Sequence, residues 1–120
     1  HDLLPTNFLD DGKRLWLLDW EYGGFGTAMF DLANIASNNQ FTEQAEKDLL
    51  TRYFERAPDQ ALLRSFYAMK TASALREAVW GMVSEIHLNA PGVDYVAYAQ
   101  EYLARYSRVL ADYNSRFGTP

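Results

Sequence analysis

The sequence predicts a mainly α-helical domain with one short β-hairpin near its start. Beyond Met29, apolar residues recur at steps of three and four for almost all of the remaining chain, the period of an amphipathic helix. Before Met29, two short apolar runs flank the turn cluster Asp10-Asp11-Gly12, a hairpin signal. At 120 residues without cysteine, the chain is long enough to bury one core and has no disulfide or thiolate-bound metal to staple it.

The elements follow in chain order. Asn7-Phe8-Leu9 leads into the turn, and Arg14-Leu15-Trp16-Leu17-Leu18-Asp19 returns from it. The stretch Glu21 to Thr27, with Gly23, Gly24 and Gly26, has neither helical nor strand periodicity and reads as a loop. A short helix is expected around Asp31 to Ala36, stopped by Ser37-Asn38-Asn39. A second begins at Thr42, which can cap it, with Glu43 and Glu46 near the positive end of the helix dipole and Pro58 beyond its end. The third should run from about Asp59 to Leu88 with Leu62, Phe66, Met69, Ala72, Leu75, Val79, Met82, Val83 and Ile86 as one core-facing stripe. Asn89-Ala90-Pro91-Gly92 breaks it, and a last helix, about Asp94 to Arg116, carries Tyr95, Tyr98, Tyr102, Tyr106, Val109, Leu110 and Tyr113 on one side. No repeat or linker divides the chain, so residues 1–120 form a single domain, with loops and hairpin in 1–31 and the helical part in 32–120.

A formal charge of −5 with scattered basic residues argues against a nucleic-acid face. No apolar run approaches the roughly 18 to 20 residues of a membrane span, and no membrane partner is expected. The absence of cysteine agrees with a cytoplasmic location.

Chemistry-bearing residues concentrate in the first 31 positions. Asp2-Leu3-Leu4-Pro5-Thr6-Asn7 places a carboxylate five residues before an amide, with Pro5 to stiffen the turn between them. A hairpin of this length returns the chain so that Asp19 falls near Asn7. Mg²⁺ prefers hard oxygen ligands, usually one or two carboxylates with water and phosphate completing the shell, and Asn7 and Asp19 suit it. Asp2 is then left to accept the proton of a hydroxyl attacking a γ-phosphate. The glycine cluster matches neither the dinucleotide nor the Walker pattern.

This spacing, with Leu17-Leu18-Asp19-Trp20-Glu21-Tyr22 and Phe30-Asp31-Leu32-Ala33-Asn34, resembles the catalytic and metal loops of the choline/ethanolamine kinase and aminoglycoside phosphotransferase family. Within it, the bacterial choline kinase-like members are the nearer likeness. The resemblance implies the helical carboxyl-terminal lobe of a protein-kinase-like fold, with Asp2 as catalytic base, Asn7 and Asp19 as Mg²⁺ ligands, and ATP as co-substrate. Asp31 would support the catalytic loop. Val79-Trp80-Gly81-Met82 and Tyr95-Val96-Ala97-Tyr98-Ala99-Gln100 resemble the family's aromatic cage segments, which makes Trp80, Tyr95 and Tyr98 candidates to bind a cationic alcohol, each ring worth ~0.5 to 2 kcal/mol. The same tyrosines at helical spacing also fit a core or interface stripe. Glu21 is a candidate substrate contact or a loop anchor. Val83 and Asn38 stand where the family carries a further cage tryptophan and an acid.

The function so implied is part of an ATP- and Mg²⁺-dependent small-molecule kinase that phosphorylates the hydroxyl of a small cationic alcohol such as choline or ethanolamine. The chain opens directly on His1-Asp2, which reads as a cut end, and it holds no glycine-rich phosphate loop followed by a lysine. The isolated chain is therefore expected to be inactive. The alternatives are an aminoglycoside-type phosphotransferase fragment, or a non-catalytic helical module that self-associates. Apolar surface left bare by a missing amino-terminal lobe would favour a homodimer.

Overall fold

The computed structural model describes residues 2–88 and 90–119, so His1 and the predicted break at Asn89 lie outside the described residues. A 3₁₀ turn at Pro5–Asn7 leads into β1 (Phe8–Asp10), which pairs antiparallel with β2 (Leu15–Leu17) in the register Phe8↔Leu17, Leu9↔Trp16 and Asp10↔Leu15. The turn between them is held by side chains. Asp11 Oδ1 accepts from the amides of Lys13 and Arg14 at 2.9 and 2.8 Å, while Gly12 takes the positive φ of +81° that the reversal requires. Hydrogen bonds from Trp16 first, and then from Lys13 and Arg14, hold the Asp11 carboxyl below its usual pKa.

The helices are α1 (Ala28–Asn38), α2 (Glu43–Phe54), α3 (Gln60–His87) and α4 (Tyr95–Phe117). Each begins on a residue whose side chain accepts a free amide of the first turn: Thr27 from Met29, Thr42 from Ala45, Asp59 from Leu62 and Asp94 from Ala97. Thr27 starts α1 three residues earlier than the apolar pattern around Asp31 implies. At the other end of α1, the Asn39 side chain donates to the Ile35 carbonyl at 2.8 Å and closes the helix in the expected Ser-Asn-Asn cluster.

One core forms where α1, α2 and the first half of α3 meet the end of α4. Leu32, Ala33, Ala36, Leu50, Phe66 and Tyr67 are buried there, with Phe54, Met69, Tyr113 and Phe117 packed around them. The second half of α3 differs from the sequence expectation. Leu75, Val79, Met82, Val83 and Ile86 are exposed, Ile86 to 75%. The buried face is Ser73, Ala74, Glu77, Ala78, Gly81 and Ser84.

The reason is steric. Helix α4 lies against this half of α3 so closely that a Cβ at Gly81 would sit 2.9 Å from a Tyr98 ring carbon and 3.1 Å from the Ala99 backbone nitrogen. Only small side chains fit at such a crossing, and the bulky residues are turned to the opposite face. A hydrophobicity pattern cannot report this, because the residues that make close contact are weakly apolar. No helix among the described residues is long and apolar enough to cross a membrane.

Candidate functional site

The loop carrying Asp2 is tied to the helical body by amides. Buried Asn34, on α1, accepts the Leu3 N–H at 2.8 Å through Oδ1 and donates through Nδ2 to Ser73 Oγ on α3 at 2.9 Å. The Asn39 side chain donates to the Leu3 carbonyl at 3.2 Å, so both backbone groups of Leu3 are held. Within the loop, Asn7 Nδ2 donates to the Asp2 carbonyl at 2.8 Å.

The hairpin then brings Asp19 back. The Leu18 N–H donates to the Asn7 carbonyl at 2.8 Å, which places Asp19 just past the residue paired with Asn7. Asp19 has a φ of +59°, a left-handed conformation that costs a non-glycine residue energy and is held here by the surrounding loop. The Trp20 indole caps the return by donating to the Leu17 carbonyl at 2.9 Å.

Asp2, Asp19 and Asp31 line one cavity of about 120 Å³, with Leu3, Trp20 and Gly24. The carboxylates of Asp2 and Asp19 have no hydrogen bond or ion pair with the described residues. Among those residues no three His, Cys, Asp or Glu side chains form a closed ligand set. The carboxylates of Asp2 and Asp19 in an open cleft are hard oxygen donors of the kind Mg²⁺ takes, with water or phosphate completing its shell. Asn7 is buried, and with Nδ2 committed to Asp2 its Oδ1 is the oxygen left for such an ion.

A second, smaller cavity of about 50 Å³ adjoins the first through Asp2 and is lined by Tyr22, Arg76, Glu77, Trp80 and Tyr98. Trp80 meets Tyr98 edge-on at a centroid distance of 5.4 Å and Tyr95 at 6.0 Å. The Tyr98 hydroxyl donates to Glu77 at 2.9 Å, and Glu77 also accepts from Arg76 at 2.8 Å. Burial, followed by the Glu77 charge, drives the Tyr98 pKa upward, so the hydroxyl remains a donor. The Arg76 guanidinium lies 5.5 Å from the centre of the Tyr22 ring.

The structure therefore brings Asp2, Asp19 and Asp31 to one cavity, with Asn7 outside its lining but bonded to the Asp2 carbonyl, and Trp80 and Tyr98 to the other, with buried Tyr95 outside that lining and packed on Trp80. Glu21 is exposed in the turn after Trp20 and lines neither cavity. Sequence reasoning passes over Glu77 and Arg76, and it meets Asn34 only as the last residue of the Phe30-Asp31-Leu32-Ala33-Asn34 motif, with no role of its own. Glu77 sits three residues before Trp80 on the same helix, and a carboxylate one turn from a candidate aromatic contact is the signal that marks it. Asn34 lies three residues after Asp31 and looks like any polar residue on a helix until its partners are known.

This is the carboxyl-terminal, helical part of a kinase-like fold, with the hairpin and acidic loop at its amino-terminal edge. The solved structure of a choline/ethanolamine kinase family protein from Mesorhizobium loti matches 98% of this chain at a TM-score of 0.82 and 27% identity, and the chain spans 41% of that protein. Protein LicA of Haemophilus influenzae is 38% identical over 53 residues, which are 44% of this chain and 20% of that protein. A LicA homolog of Mycoplasma capricolum is 27% identical over 67 residues, 56% of this chain and 28% of its own length. No family model matches. The likeness to the choline/ethanolamine kinase family read from the sequence motifs is thus found again in the solved structure, and the matches cover less than a third of the curated relatives' own length.

Replacing Asn34 with alanine orphans the Leu3 N–H and Ser73 Oγ, a loss of about 1–3 kcal/mol for buried groups left unpaired. The expected result is a lower melting temperature together with faster amide hydrogen exchange at Leu3. Unchanged exchange at Leu3 would show that the loop is held by something else.

Proposed function

We propose that these residues form the catalytic-loop part of an ATP- and Mg²⁺-dependent phosphotransferase acting on the hydroxyl of a small cationic alcohol, with choline and ethanolamine the first candidates. The observation that carries this reading is the position of Asp2 on both cavities, acidic on one side and aromatic on the other. A hydroxyl on a cation seated against Trp80 and Tyr98 would reach Asp2 from the aromatic side, with the nucleotide phosphates on the acidic side.

Asp2 would accept the hydroxyl proton as the oxygen forms its bond to the γ-phosphorus and the bond to the ADP oxygen breaks. Asn7 and Asp19 would hold Mg²⁺, which supplies neutralisation of the phosphate charge when bound. Trp80, Tyr95 and Tyr98 would orient the cation, and Glu77 would fix the Tyr98 ring by its hydrogen bond. The likeness to proteins of the choline/ethanolamine kinase family supports the same assignment. An aminoglycoside acceptor is the alternative within the same chemistry.

A second reading rests on the bare apolar face of α3, where Leu75, Val79, Met82, Val83 and Ile86 lie exposed along one side. Such a face favours self-association when it is uncovered. Light scattering of the isolated chain tests it: a dimer that dissociates when Val83 is replaced by glutamate supports self-association, and a monomer at all concentrations contradicts it.

The catalytic reading is tested in a full-length protein containing these residues. ATP consumption should depend on Mg²⁺ and on choline or ethanolamine, and Asp2→Asn should lower kcat about 10²- to 10⁴-fold while the protein remains folded. The isolated 120 residues should show no turnover. Turnover that survives Asp2→Asn would overturn the assignment, and turnover with aminoglycosides alone would move the acceptor to the alternative.

A further inference from the structure

A third cavity lies away from the acidic cleft and shares no lining residue with it. It measures about 230 Å³ and is walled by the end of α1, the middle of α3 and the middle of α4. In a chain of net charge −5 its polar lining is inverted, since Lys70, Arg105 and Arg108 face one carboxylate, Glu101. We propose that this cavity binds a small phosphate-type anion, either inorganic phosphate or the phosphate group of a small monoester.

Three observations support a built site. Arg105 is held in position: it donates to the Ser37 carbonyl at 3.1 Å and to Glu101 at 3.0 Å, and its guanidinium lies 4.5 Å from the centre of the Tyr102 ring. Those two bonds leave further N–H donors on the same fork for an oxyanion. Lys70 is fixed by its ion pair with buried Glu46 and lies 4.9 Å from the centre of the Tyr67 ring, so its ammonium keeps donors to spare with little freedom to move. Ser37, on the cavity wall, is only 5% exposed, and its hydroxyl has no hydrogen-bond partner. A buried hydroxyl without a partner marks a place where an acceptor or donor arrives from outside.

Arg108 completes the set at the mouth of the cavity. It is exposed and forms no ion pair with the described residues. A tetrahedral oxyanion offers enough acceptors to meet Arg105, Lys70, Ser37 and Arg108 together, where a single carboxylate would leave some of these donors unmatched. The opposing groups are Glu101, at the rim, and Glu46, already neutralised by Lys70. They set the sign of the test.

The isolated chain is titrated with sodium phosphate and, separately, with glycerol phosphate, following backbone amide shifts by NMR against sodium chloride at equal ionic strength. Saturable shifts are expected at Ser37, Gln40 and Phe41. Arg108→Gln should weaken binding about tenfold or more, as loss of one charge-assisted hydrogen bond implies. Glu101→Gln should tighten it, an effect that a purely structural role for these surface residues would not produce. Saturation by both anions assigns the site to the phosphate group itself, and saturation by the monoester alone assigns it to an organic phosphate. Shifts that grow linearly with concentration, that sodium chloride reproduces, or that neither variant alters would overturn the proposal.

Discussion

The amide of Asn34 is the contact on which the geometry of the acidic cleft depends. It joins three segments far apart in sequence: the loop at Leu3, helix α1 on which it sits, and Ser73 on α3. An asparagine can do this because one side chain carries both an acceptor and a donor, so a backbone N–H and a hydroxyl are satisfied together in a buried place. Once Leu3 is held, Asp2 is set at the junction of the two cavities. Asn7 then closes the loop on the Asp2 carbonyl, and the hairpin ladder carries Asp19 to the same cleft.

The two halves of α3 follow different packing rules, and the difference reaches the site. Around Phe66 the helix buries large side chains in the main core. Around Gly81 it buries small ones, because α4 approaches closely and brings Tyr98 and Tyr95 against Trp80. The close crossing therefore builds the aromatic wall. It also leaves a carboxylate, Glu77, inside the interface, where Tyr98 and Arg76 compensate the cost of burying it.

Helix starts are legible in the sequence because capping is local chemistry: Thr42, Asp59 and Asp94 each act within three residues of themselves. The hairpin is legible for the same reason, since Asp10-Asp11-Gly12 specifies its own turn. The grouping of Asp2, Asn7 and Asp19 follows once the hairpin is granted. What the sequence hides is tertiary. The apolar period of α3 points to Leu75, Val79 and Ile86 as core, whereas the close face is set by the absence of bulk at Gly81, Ala78 and Ala74, which no hydrophobic pattern reports. Asn34 and Glu77 are likewise invisible as functional supports, because their importance lies in partners dozens of residues away or on another helix.

The most direct measurement of a cation site in the acidic cleft is paramagnetic line broadening by Mn²⁺, a substitute for Mg²⁺ with the same preference for oxygen ligands. At substoichiometric Mn²⁺ the amide signals of Leu3, Asp19, Trp20, Gly24 and Asp31 should broaden first, and Asp19→Asn should abolish the effect at all of them. Broadening that begins instead at surface carboxylates such as Glu43 and Asp112, or that persists unchanged in Asp19→Asn, would contradict a shared cation site at the cleft.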